Sequence, residues 1–442
     1  MAATLDAPLD ATLDGWVARR MGLALPLSRP AVDAWQRARL AERVAEARRT
    51  SPFYRTRPGW PDGPIDTFDD LARLPFTRPA DLVRNDPPLV ALSQSAVARV
   101  VTLQTSGTSG PPKRLHFSAD ELEATLDFFH HGMGTFTRPG DRVAILFPGE
   151  RPGSVGDALV GALGRLGAVS LLVPADATAA EAAEHLRLAR PAVVVGPPVR
   201  LLAVAREQAA DGGVPIRLRA ALASSERLSP AVARALASIW GCAVHDHWGM
   251  TETGYGGAVD CAAHAGCHLR EADLLVEIVD PANGARLPPG ACGEVVVTTL
   301  QPRAVPLLRY RTGDLARLDD TPCACGSVLR RLTGFAGRIG AAVPLPGGGE
   351  ISLETLDDAL FALPSVADFS ATLVGGDPAV LELLVATPAG GRTAATRAAV
   401  WAAADEIPAV RAAAARGRLG LRVALVDAVR HDGKRRLLRR AA

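Results

Sequence analysis

The sequence predicts an α/β protein in which a large N-terminal domain of mixed sheets and helices, residues 1–337, precedes a small α+β domain, residues 338–442. Short apolar strands alternate with helices between residues 142 and 245, a pattern typical of parallel strands joined by right-handed crossovers. From Leu274 apolar and polar residues alternate as they do in antiparallel strands. Beyond Arg338 strands and helices recur over roughly 100 residues, which is enough for a separate domain.

Each element follows from its local pattern. The first 60 residues are predicted to be mainly helical, most clearly over 31–49, and valines before residue 105 predict a strand. Ser118, followed by acidic residues, predicts the start of a helix that runs to Phe129. In the alternating region we predict strands at 142–147, 169–173, 192–195, 218–222 and 243–245, and helices at 155–166, 179–188, 199–209 and 230–240. Farther on we predict strands in LLVEIVD, GEVVVTTL and LARLDD, then helices at 353–363 and 395–404 and strands at 369–374, 380–386 and 421–426.

Composition excludes several classes of protein. The 49 basic and 47 acidic residues leave a net charge of +2, which gives no overall attraction to nucleic acid or to an anionic membrane. The N-terminal stretch lacks the basic and apolar regions of a secretory signal, and no apolar run reaches the ~18–20 residues of a membrane span. Six cysteines in 442 residues do not suggest a disulfide framework. We therefore expect a cytoplasmic protein.

The segment TSGTSGPPK, from Thr105 to Lys113, predicts a site for the phosphates of a nucleotide. Glycines let the backbone N–H groups approach an anion, hydroxyl groups add donors, and Lys113 supplies a positive charge. It is not a Walker A loop, because that pattern ends in Gly-Lys-Ser/Thr and this one does not. A Ser/Gly surface turn is the alternative. The candidate phosphate ligands are Thr105, Ser106, Gly107, Thr108, Ser109, Gly110 and Lys113.

Four later segments stand in the order that an adenylating enzyme needs. In HWGMTETG, Trp248 can stack on a purine, Thr251 can bond a phosphate and Glu252 can hold Mg²⁺. In RYRTGDL, we expect Asp314 at the end of a strand, where it can accept hydrogen bonds from both ribose hydroxyl groups. Two pairs of residues complete the series: Gly337-Arg338 at the predicted domain boundary and Gly433-Lys434 near the C-terminus.

As a set, these motifs resemble those of adenylate-forming enzymes of the acyl-CoA synthetase superfamily, and most closely the phenylacetate–CoA ligase and coenzyme F390 synthetase branch. The resemblance extends from about Ser51 to Arg338 and more thinly to Lys434. It is carried by the segments SPFYRTR, LARLPFTRPADL, TSGTSGPPK, HWGMTETG, GEVVVTTL and PLLRYRTGDLARL.

The resemblance implies a role for each matched position. Residues 105–110 would wrap the β- and γ-phosphates, and Trp248, followed by Gly249, would stack on adenine. Thr251 would contact phosphate, Glu252 Mg²⁺ and Asp314 the ribose. Arg338 would lie on the hinge side, and Lys434 would bridge the substrate carboxylate and the α-phosphate. Ser225-Glu226 matches a segment on the adenine side of the site, but more weakly.

The implied activity is that of an ATP-dependent carboxylate–CoA ligase, in which an aromatic or small organic acid becomes acyl-AMP and then a CoA thioester. In this family the small C-terminal domain rotates about a hinge between the two steps, and a homodimer is favoured. Where the family has acidic residues after Gly337-Arg338, this chain has Ile339, Gly340 and Ala341. A carrier-protein thiol, an amine or another nucleophile is therefore the alternative to CoA as acceptor of the acyl group. The alternative to an enzyme is a nucleotide-binding protein without catalytic activity.

The segments CAAHAGCH and PCACGS combine thiols and imidazoles that suit tetrahedral Zn²⁺. Some members of the resembled branch carry zinc at these places, and we favour Cys261, His268, Cys323 and Cys325 as ligands. His264 and Cys267 are the competing ligands. Reduced cysteines without a metal are the alternative.

Overall fold

The structure is a computed structural model that describes residues 13–103, 112–212, 216–431 and 433–441. Its helices are α1 (Asp14–Met21), α2 (Arg29–Thr50), α3 (Pro52–Arg55), α4 (Phe68–Leu71), α5 (Pro79–Arg84), α6 (Ala119–Gly134), α7 (Val155–Leu166), α8 (Ala179–Ala189), α9 (Pro198–Ala210), α10 (Pro230–Trp240), α11 (Leu353–Leu360), α12 (Ala394–Asp405) and α13 (Pro408–Ala415). Among these described residues, no helix combines the length and apolar character needed to cross a membrane.

The strands are mostly short. They are β1 (Arg99–Leu103), β2 (Lys113–Phe117), β3 (Arg142–Ile145), β4 (Val169–Leu172), β5 (Val193–Gly196), β6 (Ala220–Ala223), β7 (Ala243–Trp248), β8 (Ala258–Asp260), β9 (Cys267–Leu269), β10 (Leu274–Val279), β11 (Cys292–Thr299), β12 (Tyr310–Asp319), β13 (Arg331–Arg338), β14 (Val343–Pro344), β15 (Glu350–Ile351), β16 (Asp368–Val374), β17 (Ala379–Ala386), β18 (Leu419–Val426) and β19 (Leu438–Arg440).

The contacts between residues divide the chain into two compact units. The first contains Met1–Arg138, Ala158–Leu166 and His245–Ala336. The second contains Pro139–Asp157, Gly167–Val244 and Gly337–Ala442. The second unit therefore includes the C-terminal 106 residues together with the alternating strands and helices that precede them. A boundary between moving domains at residues 337 and 338 stays a prediction.

In the first unit, consecutive neighbours run in the order β10-β11-β12-β13-β9-β8-β7. The pairs β10–β11 and β11–β12 are antiparallel, as the alternating sequence from Leu274 predicts. The pairs β13–β9, β8–β9 and β7–β8 are antiparallel as well. Separately, β1 pairs with β2 in an antiparallel hairpin. Lys113 begins β2, Trp248 ends β7 and Asp314 lies within β12, so these strands carry three of the predicted site residues.

In the second unit, β6, β5, β3 and β4 are neighbours in that order, and all three pairs are parallel. Their apolar side chains are buried in the way expected for a parallel sheet between helices, and Val193, Val194 and Ala221 are fully covered. The predicted crossover region is thus confirmed. The C-terminal residues add a four-stranded sheet in the order β18-β17-β16-β19.

Several predicted boundaries needed correction. The helix predicted to end at Phe129 continues to Gly134 as α6, so the glycines at its end did not stop it. Its start is as predicted, because Ser118 and Glu121 form a reciprocal capping box. No local pattern predicted the elements β2, β8, β9, β13, β14, β15, β19 and α13, which are short or have no clear apolar alternation.

Candidate functional site

Glu252 is the buried charge at which three segments of the first unit meet. It lies in a single 3₁₀ turn, Thr251–Thr253, directly after β7, and 8 % of its side chain is exposed. Its Oε1 accepts hydrogen bonds from the ammonium group of Lys113 and, at 2.9 Å, from the hydroxyl group of Tyr310. Lys113 begins β2 and Tyr310 begins β12. The side-chain contacts of Lys113 and Tyr310 with Glu252 therefore join three of the motifs that predict a nucleotide site.

Two opposing effects set the charge of Glu252. Burial raises the pKa of its carboxyl group, but the ammonium group of Lys113 and the hydrogen bonds from Lys113 and Tyr310 lower it by more. The pKa therefore lies below its usual value, and Glu252 is ionised at neutral pH. An ionised carboxylate is the kind of oxygen ligand that Mg²⁺ prefers.

Arg303 and Thr125 hold the turn that carries Glu252. Arg303 donates from Nη1 to the carbonyl of Glu252 and from Nη2 to that of Thr253, each at 3.1 Å. The hydroxyl oxygen of Thr125 lies 3.1 Å from the carbonyl oxygen of Gly254, whose φ of 77° favours glycine. Arg303 stands between two motifs, and no local pattern in the sequence marks it as a site residue.

Trp248 and Asp314 contact each other. The indole Nε1 of Trp248 donates to Oδ2 of Asp314 at 3.1 Å. The ring of Trp248 belongs to the apolar core of the first unit and is 7 % exposed, so most of its surface is covered by protein. The stacking role of Trp248 and the ribose role of Asp314 stay predictions, and the structure adds a direct link between them.

The position expected for Asp314 was wrong. Asp314 does not lie at a strand end but inside β12, beside Gly313 with a φ of 80°. The pairing of β12 with β11 is irregular here, because three residues of β12 stand opposite the single residue Val295. Such a bulge turns side chains out of the regular alternation.

Gly249 has a packing role that does not depend on a ligand. A Cβ atom at this position would lie 2.3 Å from the carbonyl oxygen of Tyr255. Any other side chain would therefore have to displace the backbone between Trp248 and Thr251. This close approach fixes where the segment with Glu252 leaves β7.

The predicted phosphate ligands Thr105, Ser106, Gly107, Thr108, Ser109 and Gly110 lie outside the described residues. The strand predicted before them is confirmed as β1. β1 ends at Leu103, β2 begins at Lys113, and these two residues are paired across the hairpin. Lys113 was predicted as a phosphate ligand, and the structure pairs it with Glu252.

A small cleft opens beside Glu252 within the first unit. It encloses about 210 Å³ of empty space, including its opening to solvent. Its charged lining comes from Glu252, Glu121 and Arg303, and most of the rest is apolar. The other lining residues are Leu115, His116, Phe117, Val305 and Leu307.

Lys434 and Arg338 belong to the second unit. Lys434 is exposed and directly precedes Arg435, whose side chain is 6 % exposed. Arg435 pairs with Asp357 at 2.9 Å, and its guanidinium lies 4.6 Å from the centre of the Phe369 ring. This buried anchor fixes the chain beside Lys434.

Two predicted positions lie at or next to a residue with a positive φ. They are Arg338, at the predicted hinge, and Ser225, in the weaker adenine-side match. Arg338 ends β13 after Gly337, whose φ is 98°. A φ of this size favours glycine, and a Cβ atom on Gly337 would also lie 2.4 Å from Oε1 of Glu354, a side chain that would have to move. Ser225, two residues after β6, has a φ of 76°, a value that favours glycine. The resemblance places a glycine of the family at this position.

Cys261, His268, Cys323 and Cys325 come together in the first unit, with their ligand atoms all within 4.8 Å of one another. The sulfur atoms of Cys261 and Cys323 are 3.7 Å apart, and Sγ of Cys325 lies 3.4 Å from Nε2 of His268. Ligand atoms around a tetrahedral zinc ion are separated by about 3.7 Å for two sulfurs and about 3.5 Å for sulfur and nitrogen. The observed separations match this geometry.

The environment of His268 also suits a metal ligand. Its Nδ1 lies 3.1 Å from the carbonyl oxygen of Leu329, to which it donates, so the lone pair of Nε2 faces the thiols. The neighbouring Cys267 is directed into the apolar core, because successive side chains of a strand point to opposite faces. His264 contacts Asp260 instead. Neither competing ligand belongs to this four-residue cluster.

The chain is similar to known proteins in sequence and in fold. Residues 66–301 match the model of the AMP-binding enzyme family. The chain is 29% identical over 350 residues to phenylacetate-coenzyme A ligase of Thermus thermophilus, with 77% of each chain covered. It is 31% identical over 316 residues to phenylacetate-coenzyme A ligase of Aromatoleum evansii, with 69% of this chain and 70% of that protein covered.

The fold is similar to that of a solved structure of 2-hydroxyisobutyryl-CoA ligase in complex with 2-HIB-AMP. The TM-score is 0.77 at 23% identity, over 93% of this chain and 90% of that chain. The family match covers more than half of the sequence, and the Aromatoleum relative exceeds 30% identity. The chain therefore belongs to the AMP-binding enzyme family, in the phenylacetate–CoA ligase-like branch of the adenylate-forming enzymes.

Proposed function

We propose that the protein is an ATP-dependent carboxylate–CoA ligase that acts on an aromatic or small organic acid. The observation that carries this proposal is the buried, ionised carboxylate of Glu252, joined to Lys113 and Tyr310 in a member of this family. The relatives are ligases that join an acid to CoA, according to their names. Two of the acids in those names, phenylacetate and 2-hydroxyisobutyrate, differ in aromaticity, so we propose the wider class of acid.

The proposed reaction has two steps, adenylation of the acid and transfer of the acyl group to CoA. A carboxylate oxygen of the acid attacks the α-phosphorus of ATP, and the bond to the β-phosphate bridging oxygen breaks, which gives acyl-AMP and pyrophosphate. The CoA thiolate then attacks the acyl carbon, and AMP leaves with the electrons of the acyl–oxygen bond. Negative charge grows on the phosphate oxygens in the first step, so fixed positive charge at that place lowers the barrier.

The residues predicted to bind nucleotide and Mg²⁺ each have a role in the first step of this proposal. Glu252 would hold Mg²⁺, which neutralises phosphate charge when it is bound. Thr105–Gly110, Thr251 and Lys113 contact the β- and γ-phosphates in this proposal, and Asp314 accepts hydrogen bonds from the ribose. Lys434 approaches the acid and the α-phosphate from the C-terminal domain, and Arg338 lies on the hinge side.

The hydrogen bond between Trp248 and Asp314 supports a second role for the indole in this proposal. Because its Nε1 already donates to Asp314, the indole orients the carboxylate that would receive the ribose hydroxyl groups. We therefore propose that Trp248 positions Asp314 in addition to lining the adenine site. A cytoplasmic location, a homodimer and a carrier-protein acceptor stay predictions.

A difference between this sequence and that of its family favours a second candidate for the acceptor of the acyl group. Ile339, Gly340 and Ala341 stand where the family has acidic residues after Gly337-Arg338. Transfer of the acyl group to a carrier-protein thiol, an amine or another nucleophile is therefore the alternative second step. It shares the first step with the proposed ligase.

The proposal is tested by pyrophosphate release from MgATP across a panel of aryl and short-chain acids, with and without CoA. We expect release that depends on one acid, and a CoA thioester of that acid detected by mass spectrometry. Acid-dependent release with acyl-AMP but no thioester would support the alternative acceptor. Nucleotide binding without release for any acid of the panel would contradict the proposal.

Lys434 is tested by Lys434→Ala, with Arg436→Ala as the matched control two residues away. Loss of a positive charge next to the α-phosphate should reduce acid-dependent pyrophosphate release by roughly 100-fold or more, since such groups stabilise transition-state charge. ATP affinity, measured by calorimetry, should change little, and Arg436→Ala should release pyrophosphate as the wild type does. Unchanged release by Lys434→Ala would remove this lysine from the mechanism.

We also propose that Cys261, His268, Cys323 and Cys325 hold a structural zinc ion. These four side chains can fill all four positions of a tetrahedral zinc ion, as in zinc sites that stabilise a fold.

Cys325→Ser should lower the zinc content by about one equivalent per chain and lower the melting temperature, since zinc binding contributes to folding. The control is Cys292→Ser, which changes an exposed cysteine outside the cluster. Equal zinc contents in the two variants, measured by mass spectrometry of the metal, would contradict the site.

A further inference from the structure

His245, Asp260 and His264 form a second cluster of metal-ligating side chains in the first unit. A ligand atom from each lies within 4.8 Å of the other two. His245 lies on β7, Asp260 ends β8, and His264 follows in the segment that leads to β9. These residues belong to neither the nucleotide motifs nor the four-residue thiol cluster.

The buried imidazole of His245 points to a missing ligand. His245 is 4% exposed, and its Nδ1 has no hydrogen-bond partner among the residues that the structure describes. That atom lies 3.9 Å from Oδ2 of Asp260, itself a residue that is 5% exposed. A buried polar atom without a partner costs free energy, and a bound cation would satisfy it.

The cluster is held in place on both sides. The ring of Phe136 stacks on that of His245 with centroids 4.4 Å apart, which fixes the plane of the imidazole. The backbone N–H of Cys261 donates to Oδ1 of Asp260 at 2.9 Å. The other oxygen, Oδ2, is thereby turned toward the two histidines and accepts from Nδ1 of His264 at 2.7 Å.

The distances suit a small divalent ion. Two imidazole nitrogens and one carboxylate oxygen around tetrahedral zinc are separated by roughly 3.3 Å. The observed separations from Oδ2 of Asp260, 2.7 Å to His264 and 3.9 Å to His245, lie on either side of this value. The side chain of His264 is 41% exposed, which gives the ion a path of entry and leaves a position for water.

We propose that His245, Asp260 and His264 bind a second divalent transition-metal ion of the zinc class. For Nδ1 of His264 to bind the ion, its proton must leave that atom, either to Nε2 of the same ring or, from a protonated ring, to solvent, so that both imidazoles act as neutral ligands. Two imidazoles and a carboxylate are a ligand set that zinc accepts, whereas Mg²⁺ and Ca²⁺ prefer oxygen ligands. The ion links β7 to the segment after β8, and this inference does not depend on the proposed ligase activity.

A third cluster serves as an internal comparison. Asp127, His130 and His131 lie close together on α6. Two arginines already occupy this cluster, since Arg19 lies 2.7 Å from Nε2 of His131 and Arg20 lies 3.9 Å from Oδ2 of Asp127. Their positive charges oppose a bound cation, so we expect no metal there.

The test is a Co²⁺ titration of the metal-free, full-length protein, followed by absorbance and by metal analysis after dialysis. We expect about two equivalents to bind, one with an intense thiolate-to-cobalt charge-transfer band and one with only weak visible bands, because only the first has sulfur ligands. His264→Gln should lose the equivalent without charge transfer and keep the other. Circular dichroism checks that the variant is folded.

Two controls separate this site from other histidines. His131→Gln alters the comparison cluster and His185→Gln an exposed histidine on α8, and both should bind as the wild type does. Binding of only one equivalent by the wild type would overturn the proposal. So would retention of both equivalents by His264→Gln, or loss of the second by His131→Gln.

Discussion

The burial of Glu252 is the constraint on which the nucleotide site depends. A carboxylate removed from water is costly unless a positive charge and hydrogen-bond donors meet it, and here Lys113 and Tyr310 do so. These partners come from the β1–β2 hairpin and from β12, so the charge can be satisfied only when both elements are in place. The same contacts lower the pKa of Glu252, and the structural requirement therefore also supplies the ionised ligand that the proposed chemistry needs.

The rest of the site is arranged around this turn by backbone geometry. A Cβ atom on Gly249 would lie only 2.3 Å from the carbonyl oxygen of Tyr255, so glycine permits this close approach of the backbone, and Arg303 binds two carbonyl groups of the turn. A bulge in β12 brings Asp314 to the indole of Trp248 at the end of β7. The segment after β8, β9 and the segment before β13 carry the thiol cluster, and β7, the end of β8 and the segment after it carry the proposed second metal site. Metal ions there would stabilise β8 and β9, which have only three residues each.

The sequence predicted the type of fold well because periodicity reports which faces are buried. Helix α7 and the parallel strands were found from apolar runs, and β10 and β11 from alternation. Strands of three residues such as β8 and β9 carry too few side chains to show any period, so they were missed. For the site, motifs identified Glu252, Lys113 and Asp314, but not the contact between the first two. Arg303 and the role of Tyr310 depend on tertiary contacts between distant segments, which no local pattern encodes.

The central claim is that Glu252 is the carboxylate that binds Mg²⁺ in the adenylation step. The most direct measurement is the dependence of acid-driven pyrophosphate release on Mg²⁺ concentration for Glu252→Gln. Glu123→Gln, which alters an exposed glutamate paired with Arg165, is the matched control. Loss of an ionised ligand should raise the Mg²⁺ concentration for half-maximal release by about 10-fold or more, while the control should match the wild type. The same Mg²⁺ dependence in Glu252→Gln as in the wild type would contradict the account.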